Sequence, residues 1–139
     1  MTPHRSHWLT RTYFTLGALF LTLSIASAPA RSAELSAASR AEIDALLDRL
    51  GQSGCEFNRN GSWYDAPKAK AHLARKLDYL LDKKLVASAE QFIALAGSKS
   101  SKSGKTYSVR CRGEDPVPSA TWLTTELQKM RTKSVEEQR

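Results

Sequence analysis

The chain's 139 residues hold 21 Lys and Arg against 14 Asp and Glu, a net charge of +7. The two signs are interspersed, with no basic block of the kind that marks a nucleic-acid tail. Nucleic acid is therefore discounted as a partner, and an anionic surface such as a cell-envelope polymer fits better. Two cysteines and one histidine beyond residue 7 leave no cluster of metal ligands, so no metal or cofactor is expected.

The start of the chain reads as a leader. "MTPHRSHWLTR" is basic and carries no acid, and Tyr13 to Ser27 is an apolar run shorter than the roughly 20 residues that a spanning helix needs. Ala28 to Ala30 has the small-x-small pattern of a signal peptidase site. A cut after Ala28 would put Pro29 just beyond the scissile bond, so cleavage is expected after Ala30. An uncleaved anchor is the alternative. No Cys follows the run, which argues against a lipoprotein-type anchor. The sequence thus divides into a signal peptide over 1–30, one domain over 31–132 and a polar tail over 133–139. No second apolar run of membrane length follows. The leader removes Arg5 and Arg11 and no acid, so the net charge falls to +5.

Export would place Cys55 and Cys111 in an oxidising compartment. With no C-x-x-C motif they read as a structural disulfide. The bridge closes a loop of 57 residues, for which the chain-entropy model gives about 4 kcal/mol.

The first predicted helix begins near Ser39, where Ser39-x-x-Glu42 has the form of a capping box. Ile43, Leu46, Leu47 and Leu50 keep helical spacing, and Gly51 is placed to end it. "CEFNRNGSWYDA", residues 55–66, follows. Two short aromatic-bearing runs flank Asn60-Gly61, which predicts a hairpin with a type I′ turn and positive φ at both central residues. Asp65 then caps a second helix with Pro67 in its first turn, running to about Lys83. Ser88-x-x-Gln91 opens a third, short helix. "SKSSKSGK", Ser98 to Lys105, is a loop. "TYSVRC", Thr106 to Cys111, alternates as a strand. "RGEDPVPS" reads as a connection, and Ser119 as the cap of a last helix carrying Trp122, Leu123, Leu127 and Met130. The fold class is α+β: a three-stranded antiparallel sheet, one hairpin plus a C-terminal strand, packed with about four helices and tied by one disulfide.

Three features could carry chemistry. On the second helix Lys76 borders the apolar face beside Ala69 and Leu80, with His72 and Tyr79 on the same flank. The plain reading is a snorkelling lysine. The sharper one is a polar cluster at a cleft. In "SKSSKSG", hydroxyls and Lys99, Lys102 and Lys105 offer an anion cradle, although the Gly-x-x-x-x-Gly-Lys phosphate loop is absent and a solvated loop is the plain reading. A Ser–Lys nucleophile pair finds no Gly-x-Ser-x-Gly elbow to support it. Arg59, Asn60, Trp63 and Tyr64 make a basic hairpin tip backed by aromatics, either core packing or a stacking platform.

The Cys-x-Phe-x-Arg-Asn-Gly-x-Trp-Tyr run, the His-Leu-x-x-Lys step and the Ser-x-Ser-Ser-x-Ser-Gly-x-x-Tyr-x-Val-Arg-Cys run occur in that order. From Cys55 to about Arg131 the sequence resembles the YfeK-like family of small exported bacterial proteins, whose domain has no established activity. The resemblance implies export, one domain and paired cysteines. Its motif positions fall on Arg59, Asn60, Gly61, Trp63, Tyr64, His72, Lys76, Glu90, Ser98, Ser100, Ser101, Ser103, Gly104, Tyr107 and Arg110. A motif match through the serine-rich loop raises the weight of a functional reading there.

The first functional expectation is a periplasmic binding or interaction module without catalysis, its ligand anionic or carbohydrate-like. Lys76, His72 and at least two loop serines would line one concave site, and Glu90 would pair with Lys76. The alternatives are an envelope hydrolase using a loop serine or His72 as base, and a small inhibitor or accessory protein that binds another protein.

Overall fold

A computed structural model describes residues 34–139. The expected leader and cleavage site lie outside them. Among the described residues no helix is long and apolar enough to cross a membrane.

Helix α1 spans Ala37–Gln52 and buries Ile43, Leu46, Leu47 and Leu50. Its cap is Ser36, not Ser39: the Ser36 hydroxyl accepts the Ser39 N–H at 3.1 Å. Starting earlier brings Leu35 against the core. Gly51 does not end the helix. It lies inside it facing Lys70, and the positive φ falls on Gly54, at +67°.

Strands β1 (Glu56–Arg59) and β2 (Ser62–Asp65) form the hairpin, with Arg59 opposite Ser62. Asn60 and Gly61 sit at φ 54° and 89°, the predicted turn geometry. The Asp65 carboxylate caps α2 (Ala66–Asp82) by accepting the Lys68 N–H at 2.9 Å. One face of α2 buries Ala66, Ala69, Leu73, Leu77 and Leu80.

Ser88 caps α3 (Ala89–Phe92), which continues directly as a π-helix over Ile93–Gly97. Strand β3 is shorter than predicted, Ser108–Arg110. Strand β4, Val117–Pro118, lies in the segment expected to be a connection and brings the sheet to four strands instead of three, in the order β2-β1-β3-β4, all antiparallel. Pro116 and Pro118 conceal it in the sequence. A proline cannot donate to a ladder, but an edge strand needs donors on one side only.

Helix α4 (Ser119–Glu137) starts with Ser119 as its first residue instead of its cap, and continues through the segment expected to be tail. Its Leu123 and Leu127 are fully buried, and Trp122 meets Phe57 edge to face with centroids 5.5 Å apart. By register Phe57, Tyr64 and Val109 share one sheet face, and Phe57 and Val109 are buried in the core with the helix residues. Glu56, Asn58, Trp63, Ser108 and Arg110 occupy the opposite face. The Cys55–Cys111 disulfide joins the ends of the adjacent strands β1 and β3, with Cα atoms 4.3 Å apart.

Candidate functional site

Because the Asp65 cap launches α2 straight from β2, the helix lies beside the hairpin that precedes it. Between them is a cavity of about 250 Å³. Its apolar lining comes from Phe57, Ala69 and Leu73, and its polar lining includes Arg59, Tyr64, His72 and Tyr107, with Lys68 and Arg75. No acidic residue lines it. Lys68, His72 and Arg75 recur at i, i+4 and i+7, so the turn of the helix puts them on one stripe.

The polar groups are ordered by hydrogen bonds. Arg59 Nη1 lies 2.7 Å from His72 Nδ1, and a guanidinium can only donate, so Nδ1 is the acceptor. The imidazole proton is therefore on Nε2, which points at the Tyr107 hydroxyl 3.2 Å away. Burial first, then the charges of Arg59, Lys76 and Arg75, push the His72 pKa down to about 4, so the ring is neutral at neutral pH. Burial also raises the Tyr107 hydroxyl above the ordinary tyrosine range, against the opposing effects of Arg59 and Ser100. The Arg59 guanidinium stacks 4.8 Å from the Tyr64 ring centroid. Among the described residues no carboxylate forms an ion pair with Arg59 or Arg75, whereas Lys68 has an exposed, 3.5 Å pairing with Asp65.

The other residues singled out in the sequence are distributed differently. Lys76 does not line the cavity. Its ammonium donates to the carbonyls of Ala96 at 2.8 Å and Lys99 at 3.0 Å, and lies 5.3 Å from the Tyr107 ring centroid. Burial lowers its pKa. It clamps the end of the π-helix to the loop and bonds to no serine hydroxyl.

The loop is a built turn. Tyr107 N–H donates to Ser98 O, Ser100 N–H to Lys105 O and Gly104 N–H to Ser100 O, each at 2.9 Å. Gly104 holds φ +70°. Ser100 is buried and accepts the Ser103 N–H, while the Ser103 hydroxyl donates to Asn60 Oδ1 at 2.7 Å. The Ser98 hydroxyl donates to Ala94 O, and Ser101 is exposed. The loop thus packs on the hairpin tip, and none of its serines lines the cavity.

The expected Glu90–Lys76 pair does not form. Glu90 accepts from Arg131 at 2.7 Å, beside the Arg131–Glu42 pair. Tyr79 is exposed and does not line the cavity. Trp63 lies on the outer sheet face under the Arg110 guanidinium, 4.2 Å from the ring centroid, and Arg110 also pairs with Glu56 at 2.6 Å. Of the motif residues, the cavity gathers Arg59, Tyr64, His72 and Tyr107. Lys68 and Arg75 were not singled out, although their spacing about His72 on one helix is a signal the sequence carries.

Among the described residues no group of His, Cys, Asp or Glu is arranged to hold a metal ion. The molecule is a disulfide-bonded α+β domain with one polar-walled, cation-rimmed cavity between hairpin and helix. The model of a family of unknown function, DUF5329, matches residues 37–131, which takes in every strand and the whole cavity lining, and the chain belongs to that family. No curated protein and no solved structure matches the chain significantly.

Proposed function

We propose that this protein is a small exported binding module whose cavity takes a ligand with an apolar body and an anionic group. The observation that carries the reading is the cavity lining: three cationic side chains, an apolar base and no acid. A guanidinium without a carboxylate partner, held over low-dielectric surface, attracts an anion more strongly than a solvated surface lysine does. The aromatic groups favour an anion over a sugar. A guanidinium already covers a face of both Tyr64 and Trp63, so neither offers that face as a stacking platform.

Export is supported by the basic leader, its apolar run and the small-x-small site, and by a disulfide that suits an oxidising compartment. The likeness of the motifs to the YfeK-like exported bacterial proteins points to a periplasmic location.

The ligand reading is tested by titrating the 15N-labelled protein with phenylacetate and, separately, with glucose. Amide shifts confined to Arg59, Ala69, Ala71 and His72 with phenylacetate are expected. No shifts at millimolar phenylacetate, or shifts centred on Trp63 with glucose, would overturn it.

A further inference from the structure

Hydrogen-bond accounting in the cavity goes one step further and rests on the anion-binding reading. Arg59 supplies five N–H donors and no acceptor. One of them is spent on His72 Nδ1. That contact fixes the ring as the Nε2–H tautomer, and Nε2–H is then the donor to the Tyr107 oxygen. The Tyr107 O–H proton must go elsewhere; Ser100, the other side chain at this hydroxyl, already accepts the Ser103 N–H, which leaves the cavity as the direction for the proton. Tyr107 lines the cavity, as does Arg59.

From this we infer that Arg59, His72 and Tyr107 form an ordered donor relay that makes the cavity selective for a carboxylate: one oxygen accepts from the Arg59 guanidinium and the other from the Tyr107 hydroxyl. His72 is a positioning residue. It holds the Tyr107 oxygen as an acceptor on the protein side and so turns its proton toward the ligand. A ligand that presents only donors, such as an ammonium, meets a field of like charge and no carboxylate to pair with. A neutral amide gains the Tyr107 bond but not the charge pairing with Arg59. A planar carboxylate matches the guanidinium fork, and its single charge is less costly to desolvate over Phe57, Ala69 and Leu73 than a doubly charged phosphate.

The test compares phenylacetate, phenylacetamide, phenethylamine and phenyl phosphate on the full exported protein and on its Tyr107→Phe variant, with binding followed by amide shifts at His72 and Ala69. Wild type is expected to prefer phenylacetate. Tyr107→Phe is expected to bind phenylacetate about tenfold more weakly, as for loss of one hydrogen bond to a charged group, with its weak phenylacetamide affinity changed far less. Equal phenylacetate affinity in the two proteins, or a preference for phenyl phosphate or the amine, overturns the relay while leaving a binding cavity in place. Absence of any phenylacetate shift in wild type overturns both this inference and the function it rests on. An independent measurement needs no variant. A long-range 15N–1H spectrum of wild type is expected to show His72 protonated on Nε2 alone at pH 7, and protonation on Nδ1 overturns the inference whether or not Tyr107→Phe folds.

Discussion

At the scale of single residues, Lys76 and His72 divide the labour that the sequence reading gave to both. Each sits at the border of the α2 apolar face, but one reaches up to backbone carbonyls and the other sideways into the cavity. The Lys76 stem is packed, and its ammonium closes the π-helix against the serine loop. His72 carries the titratable consequence. Its folded pKa is about 4, with burial as the main cause, against about 6.5 in the unfolded chain. Between those values the unfolded chain binds a proton that the folded one does not. Stability therefore falls as pH drops from about 6.5 to 4 and levels off below, by about 1–2 kcal/mol after allowing for solvent screening at a partly open site. Glu42 and Glu90, held low by Arg131, keep their contributions through this range and lose them at more acidic pH, as it falls from the ordinary carboxylate value through their depressed ones, so the His72 step stands apart from theirs. The His72→Gln variant removes the imidazole and keeps an acceptor and a donor. The urea midpoint of wild type is expected to drop relative to that of His72→Gln from pH 7 to pH 4. A difference that does not change with pH would show that the ring is not buried neutral.

At the scale of elements, the hairpin and the π-helix set where everything else can go. The hairpin turns in two residues because Asn60 and Gly61 both accept positive φ, and a Gly61→Val variant puts a β-branched side chain at φ 89°. No neighbour lies within 4 Å of a Cβ added there, so the expected cost is backbone strain, of order 1–3 kcal/mol. Thermal unfolding is expected to show a lowered midpoint, and Gly61→Ala a smaller loss of the same sign. An unchanged midpoint in Gly61→Val would mean that the turn relaxes to another geometry. At Gly97, the last residue of the π-helix, an added Cβ would lie 2.5 Å from Leu123 Cδ1, so a larger residue there would push against the buried end of Leu123 and part the π-helix from α4. The Ala96 carbonyl lies in the last turn of the helix, where carbonyls have no intrahelical donor, and receives Lys76 instead.

At the scale of the whole molecule, the disulfide fastens the two central strands of a sheet whose strands are two to four residues long. Strands this short contribute little pairing of their own, so the bridge has a large share in holding β1 and β3 in register. Replacing both cysteines by alanine is expected to lower unfolding free energy by about 2–4 kcal/mol, read from urea denaturation. Non-reducing mass analysis of the native protein should find no free thiol. A double variant as stable as wild type would place the stability in the helices alone.

Much of this architecture was written locally. The Asn60-Gly61 turn, the Asp65 and Ser88 caps and the apolar stripes of α1, α2 and α4 each depend on residues within a few positions of one another, so spacing and residue type determined them. The cysteine pair was legible because only two candidates existed. What only the tertiary structure decided is non-local. β4 exists because Val117 finds Val109 across the sheet, and its flanking prolines gave no sign of it. Glu90 was expected to pair with Lys76, and the fold brings Arg131 of α4 to it instead. The candidate site divides in the same way. His72 and Lys76 are four residues apart on one helix, yet the sequence carries no information about which neighbour each meets, since Arg59, Tyr107, Ala96 and Lys99 reach them from other elements. Side-chain direction depends on the rotation of α2 over the sheet, and that rotation is set by how the whole core closes, with Leu73, Leu77 and Leu80 turned inward.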